Sequence, residues 1–146
     1  MGMLRGAVRA AGRARRDESG QALVEFALVI PVVLLLLIAL FELGRVWHTY
    51  QVITDAAREG ARHAAVANPT ITRDTVIARV EAALSRGGLR PEKWDIRLEG
   101  LDGPTGSADT VEIKYLFEPA FAGPLLGLAV KKRSVTLKTQ FVMRNE

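Results

Sequence analysis

From Ala22 to Phe41, fifteen of twenty positions are Leu, Ile, Val or Phe, and the only charge is Glu25. A run of this length matches the ~20 residues with which a helix crosses a hydrocarbon core of ~30 Å. At roughly −0.4 kcal/mol per strongly apolar residue, insertion gains about 6 kcal/mol, and Glu25, near the end of the run, opposes it by at most ~3 kcal/mol. Insertion wins. The pattern predicts that the helix continues beyond the run. Leu43, Val46, Trp47, Tyr50, Ile53, Ala57, Gly60, Ala61 and Ala64 recur at steps of three and four, while Glu42, Arg45, His48, Thr49, Asp55, Glu59 and Arg62 fall mainly on the other side. The first stop signal is Asn68-Pro69, because proline disfavours the helical region for the residue before it, so the helix is expected to end near Ala67. Trp47 and Tyr50 suit the lipid–water interface. Further out, Ala56, Ala57, Gly60, Ala61, Ala64 and Ala65 would let another element pack close.

A second helix is predicted over Arg73–Arg86, with Thr72 as N-cap, Val76, Ile77, Val80, Ala83 and Leu84 inward, and Gly87-Gly88 as its end. Beyond Pro91 the period becomes two. Trp94, Ile96 and Leu98 alternate with Asp95, Arg97 and Glu99. Val111, Ile113, Tyr115 and Phe117 alternate with Glu112, Lys114, Leu116 and Glu118, and Val135, Leu137 and Phe141 with Thr136, Lys138 and Gln140. Three strands with one apolar face each make an antiparallel sheet that needs a cover, and the small-residue face of the long helix and the second helix supply it. Asp102 to Asp109 reads as a hairpin loop. Pro119 to Val130 reads as an apolar loop, since Pro119, Gly123, Pro124 and Gly127 punctuate it. The predicted class is α+β, with residues 1–20 a basic cytoplasmic leader with little structure of its own, 21–41 a transmembrane helix and 42–146 an outer, periplasmic α+β domain.

Charge sets the expected orientation. Five arginines (Arg5, Arg9, Arg13, Arg15, Arg16) precede the apolar run against Asp17 and Glu18, so most of the chain's net charge of +4 sits in this arm. Only Arg45 lies close behind the run, and the positive-inside rule then keeps the N-terminus in the cytoplasm and sends the C-terminal part across an inner membrane. The arm holds no aromatic residue that could stack on a base, which argues against nucleic acid as its partner. The 146 residues contain no cysteine, which excludes thiol chemistry, cysteine zinc sites and disulfides. About 105 residues follow the apolar run, enough for a fold held by burial alone.

Enzyme signatures are missing. The chain has neither a Gly-rich phosphate loop ending in Lys-Ser/Thr nor a Gly-x-Ser-x-Gly turn, and its acidic residues are scattered. His48 and His63 are over ~20 Å apart along one predicted helix, too far to share a metal. No cofactor, metal or catalytic residue is expected. Arg15-Arg16 is followed by Asp-Glu-Ser-Gly, where a twin-arginine export signal would soon turn apolar. Phe41-Glu42-Leu43-Gly44-Arg45 offers no small-x-small site for a secretory signal peptidase.

The informative stretch is Gly20-Gln21-Ala22-Leu23-Val24-Glu25-Phe26-Ala27-Leu28-Val29-Ile30-Pro31. Gly20 places a peptide bond without a side chain at the membrane surface, where a membrane-embedded protease can reach it. An ionisable group inside a spanning segment is costly and by default functional, which singles out Glu25. The stretch resembles the class III signal of type IV pilin-like proteins, cut after the glycine and carrying glutamate at mature position five. More narrowly, it resembles the opening of the TadE-like pseudopilins, or minor pilins, of tight-adherence (Tad) pilus systems. Glu42, Gly44, Arg58, Gly60 and Ala61 extend the likeness to about Pro69. Major pilins of that system usually end soon after the helix and often have tyrosine after the glutamate; Phe26 and the outer domain therefore suggest a minor component. The resemblance implies cleavage between Gly20 and Gln21, an assembly role for Glu25, Phe26 and Pro31, and no enzymatic activity. The implied partners are a prepilin peptidase, other pseudopilins, the major pilin and the inner-membrane assembly platform with its ATPase, besides membrane lipid. The competing reading is an uncleaved single-pass receptor or scaffold whose outer domain binds something periplasmic.

Overall fold

The computed structural model describes residues 3–66, 71–101, 103–104, 106–120 and 134–144, with residues 3–19 described by their backbone alone. The chain forms two compact units, Met1–Leu40 and Phe41–Glu146.

The helix α1 runs from Met3 to Ala64. It therefore includes most of the leader that was expected to have little structure of its own. Ala and Arg are strong helix formers, and a helix already nucleated extends at one hydrogen bond per residue, with no need of an apolar face. At the other end Arg62 and His63 lie in the last turn, where basic side chains complement the partial negative charge of the free carbonyls. The expected stop at Asn68-Pro69 and most of the expected Pro119–Val130 loop lie outside the described residues.

In the unit Phe41–Glu146, α2 spans Arg73–Arg86 as predicted, and a reciprocal cap starts it. Thr75 N donates to Thr72 Oγ1 at 3.4 Å, and Thr72 N donates to Thr75 Oγ1 at 2.9 Å. A short 3₁₀ turn, Pro91–Lys93, leads into the strands β1 (Trp94–Glu99), β2 (Ala108–Phe117) and β3 (Val135–Arg144). These form one antiparallel sheet in the order β1-β2-β3, with Ile96 opposite Ile113 and Val111 opposite Phe141.

The core lies between the sheet and both helices. Ile53, Ala56, Ala57 and Ala61 of α1 meet Val76, Val80 and Leu84 of α2 and Leu98, Val111, Ile113 and Phe117 of the sheet. The alanines and Gly60 permit the close approach. A Cβ at Gly60 would overlap Val80 Cγ2 and lie 3.6 Å from Val111 Cγ1.

The inward face of α1 differs from the predicted one near its base. Leu43, Trp47 and Tyr50 are exposed, whereas Glu42 and Thr49 are buried. Burial here follows where the sheet packs. Glu42, 7% exposed, is tolerated because Arg45 Nη1 lies 2.9 Å from its Oε2, while the Arg45 guanidinium also sits 5.2 Å from the centre of the Phe117 ring. Val135, expected inward, is 54% exposed at the start of β3.

Ion pairs and one buried acid give the domain opposed pH dependences. On the outer sheet face Lys138 Nζ at 2.6 Å and Lys114 Nζ at 3.1 Å hold the Glu112 carboxyl below its ordinary pKa, and Lys93 at 2.7 Å does the same for Glu118. Such groups add stability above the unfolded carboxylate pKa and lose it as pH falls through their depressed values. Asp109 acts in the other sense. Expected at the end of a loop, it instead lies in β2 and points inward, 1% exposed, and neither carboxylate oxygen has a hydrogen-bond partner among the described residues. Burial raises its pKa. As pH climbs from the unfolded value of about 3.9 through the raised one, the folded state must give up a proton that the unfolded chain has already lost, so stability falls. Asp109→Asn keeps the shape and never ionises. It is expected to stabilise the domain at neutral pH, because the buried position no longer has to carry a charge or hold a proton against the solvent, and to flatten this part of the pH profile. Thermal unfolding from pH 4 to 8 checks this, and equal losses with rising pH in both proteins would exclude the buried charge as the cause.

Candidate functional site

The residues singled out by sequence all lie on the first unit's helix. Along 20–41 every side chain is exposed except that of Ile38, which is half-buried. An uncovered apolar surface of this extent is not stable in water and requires lipid or neighbouring helices around it. Among the described residues, one helix is long and apolar enough to cross a membrane, the part of α1 from Gly20 to Ala64.

Within that helix the structure joins two of the predicted residues. Gln21 Nε2 donates to Glu25 Oε1 at 3.1 Å across one helical turn. The spacing i, i+4 makes this contact readable from sequence, and it gives one carboxylate oxygen a partner without neutralising the charge. Phe26 projects outward, 62% exposed, beside the glutamate in sequence. Pro31 lies inside the helix, where it has no N–H to give the carbonyl of Ala27. Gly20 meets nothing: a Cβ built there finds no atom within 4 Å. Its peptide bond to Gln21 is helical, and a protease that binds its substrate extended must first unwind it. Glycine, about 1 kcal/mol poorer than alanine in a helix, makes this the easiest place to do so.

His48 and His63 stand apart on α1, and among the described residues no group of three His, Asp or Glu side chains could hold a metal ion. What the site offers is a surface: an apolar helix with one carboxylate near its start, a glycine peptide bond just before it, and a small folded domain following it.

Those features define a helix-anchored α+β protein whose apolar helix must be covered by lipid or by its own kind. One comparison with known proteins is more specific. The model of the TadE-like protein family matches residues 20–62, beginning at Gly20 and taking in Glu25, Phe26, Pro31, Arg58 and Gly60. Over these residues the chain is similar to TadE-like proteins, the resemblance that the motif from Gly20 to Pro31 carries. No curated protein and no solved structure matches the chain.

Proposed function

We propose that the protein is a minor pilin or pseudopilin of a Tad-type pilus, made as a bitopic precursor and processed on the cytoplasmic side. The observation that carries the reading is the TadE-like match, which starts at Gly20 and contains a glutamate five residues later on an exposed apolar helix. In this reading a prepilin peptidase cuts between Gly20 and Gln21. The arginine arm, holding the precursor to anionic lipid at about 1 kcal/mol per basic residue, is removed with the leader. The mature helix is then free to leave the bilayer and pack against other pseudopilins and the major pilin, driven by the inner-membrane platform and its ATPase. The outer domain, residues 42–146, crosses the membrane and tunes or caps assembly. The protein's part is structural: it is a subunit and not a catalyst.

Intact mass spectrometry of the protein purified from membranes of cells with an active prepilin peptidase tests the reading. The expected mass lacks residues 1–20, and Gly20→Leu, which puts a branched side chain at the scissile bond, keeps them. A wild-type protein that retains the arginine arm in such cells would instead fit an uncleaved single-pass receptor or scaffold.

A further inference from the structure

Beside the base of the outer part of α1 lies a cleft of about 500 Å³ that the assembly reading does not use. Its donors come from three places in the fold: Arg45 and His48 from α1, Arg90 from the turn after α2, and Lys93 from the 3₁₀ turn. Three cations thus line it: Lys93 Nζ is bound at 2.7 Å to Glu118, the one lining carboxylate among the described residues, Arg45 uses Nη1 on Glu42 at 2.9 Å and keeps its other guanidinium N–H groups, and Arg90 has no ion pair among the described residues. Arg90 is exposed; its carbonyl oxygen accepts from Lys93 N at 3.1 Å, and its charge helps to hold the Glu118 carboxyl low, yet its guanidinium makes no hydrogen bond among the described residues. His48 is exposed and adds a ring N–H in either protonation state. Tyr115 and Phe117 supply an apolar wall, with the Arg45 guanidinium seated over the Phe117 ring.

The cleft's level along α1 narrows the ligand. Arg45 follows Phe41, the last residue of the apolar run, by four positions, about 6 Å of helix, and His48 follows it by seven, about 10 Å. The headgroup zone occupies about 5–8 Å on each side of the hydrocarbon core. Trp47 and Tyr50, amphipathic and exposed, lie at the same level. We propose that this cleft binds the phosphate group of an anionic phospholipid, with Arg90 and Arg45 gripping the phosphate oxygens, Lys93 adding charge, and the aromatic wall taking the glycerol carbons. Guanidinium suits this ligand because its planar fork meets two phosphate oxygens at once. The inference rests on the membrane-anchor reading alone and is independent of cleavage and assembly.

The test uses the full chain in a maltoside micelle, with short-chain phosphatidylglycerol, short-chain phosphatidylcholine and inorganic phosphate as separate probes, and bound lipid read by native mass spectrometry. Phosphatidylglycerol is expected to remain bound where phosphatidylcholine does not, and matched inorganic phosphate is expected not to displace it. Arg90→Gln/Lys93→Gln should weaken retention about tenfold. Arg90→Gln alone breaks no hydrogen bond of the fold and should still weaken it severalfold. Arg97→Gln/Arg144→Gln, which removes the same charge elsewhere, should leave retention unchanged. Retention unaltered in both Arg90 variants, or reduced equally by the Arg97/Arg144 control, overturns the site. Displacement by inorganic phosphate overturns the lipid source. Flotation with neutral vesicles reports the membrane anchor separately, so failure of the anchor and failure of the cleft are distinguishable.

Discussion

Gly60→Leu is expected to lower the melting temperature of the α+β domain by on the order of 10 °C. Gly60 lies where α1 crosses α2, and a Cβ there already overlaps Val80 Cγ2. Val80 and Val111, the neighbours that would have to move, are fully buried and β-branched, so neither has a spare rotamer to adopt. Overpacking of this kind costs about 1–3 kcal/mol, a large share of the ~5–15 kcal/mol of a typical domain. Gly44 in the same helix provides the contrast, since a Cβ there meets nothing within 4 Å. Gly44→Ala should gain up to about 1 kcal/mol from helix propensity, while Gly60→Ala, chemically the same change, should lose stability. Adding Val80→Ala to Gly60→Ala opens the space again and should recover part of the loss, a coupling that only contacting residues show. Thermal unfolding of the full chain in detergent, followed by tryptophan fluorescence with Trp47→Phe as the common background so that Trp94 alone reports, measures all four. If Gly44→Ala and Gly60→Ala both raise the melting temperature, the close crossing is not what requires glycine at position 60.

The elements that were legible in the sequence are those whose signals are local. Thr72 caps α2 because Thr75 lies three residues on, and Val76, Val80 and Leu84 mark its inward face by spacing alone. The same holds for Val111, Ile113, Tyr115 and Phe117, where strict alternation is the signature of a strand with one covered face. The failures share a cause as well. Glu42 and Thr49, placed on the polar side, are buried, while Leu43 on the apolar side is exposed. Near the end of a membrane helix apolar character no longer indicates the protein core, because lipid is an alternative partner. Asp109 falls in the expected Asp102–Asp109 hairpin loop, and its place in β2 is fixed by the pairing of Ala108 through Phe117 with β3, a contact distant in sequence. The turn Pro91–Lys93 is too short to carry a period. Of the candidate sites, Gly20, Glu25 and Pro31 can be singled out in the sequence because the proposed pattern is one of spacing along one helix. The cleft was not, since Arg45, Arg90 and Lys93 are brought together only by the packing of three elements.

Glu25→Gln is expected to abolish assembly while leaving the protein inserted, processed and as abundant as wild type. In the proposed mature form the new α-amino group of Gln21 and the Glu25 carboxylate lie one turn apart, about 6 Å along the axis. At present Gln21 Nε2 satisfies one oxygen of that carboxylate at 3.1 Å, an amide contact that leaves the charge uncompensated. Both ionic groups sit at the start of a helix whose surroundings are otherwise apolar, where solvation is poor and an opposite charge is worth far more than in water. A neighbouring subunit can supply it by offering its amine to this carboxylate, which aligns the two helices in one register. Removing one member of a desolvated pair costs about 3–5 kcal/mol, because the other charge is left uncompensated. At about 1.4 kcal/mol per factor of ten, that corresponds to a loss of association of at least a hundredfold. Glutamine preserves the side chain's length and its contact with Gln21, so the charge alone is tested. The measurements are intact mass, for processing, together with co-purification of other pilin-like subunits and counts of pili by electron microscopy. Wild-type pili and co-purification in Glu25→Gln, alongside their loss in Gly20→Leu, would separate the two steps: cleavage would stand, and helix register would have to come from packing of the apolar surface around Phe26 rather than from charge.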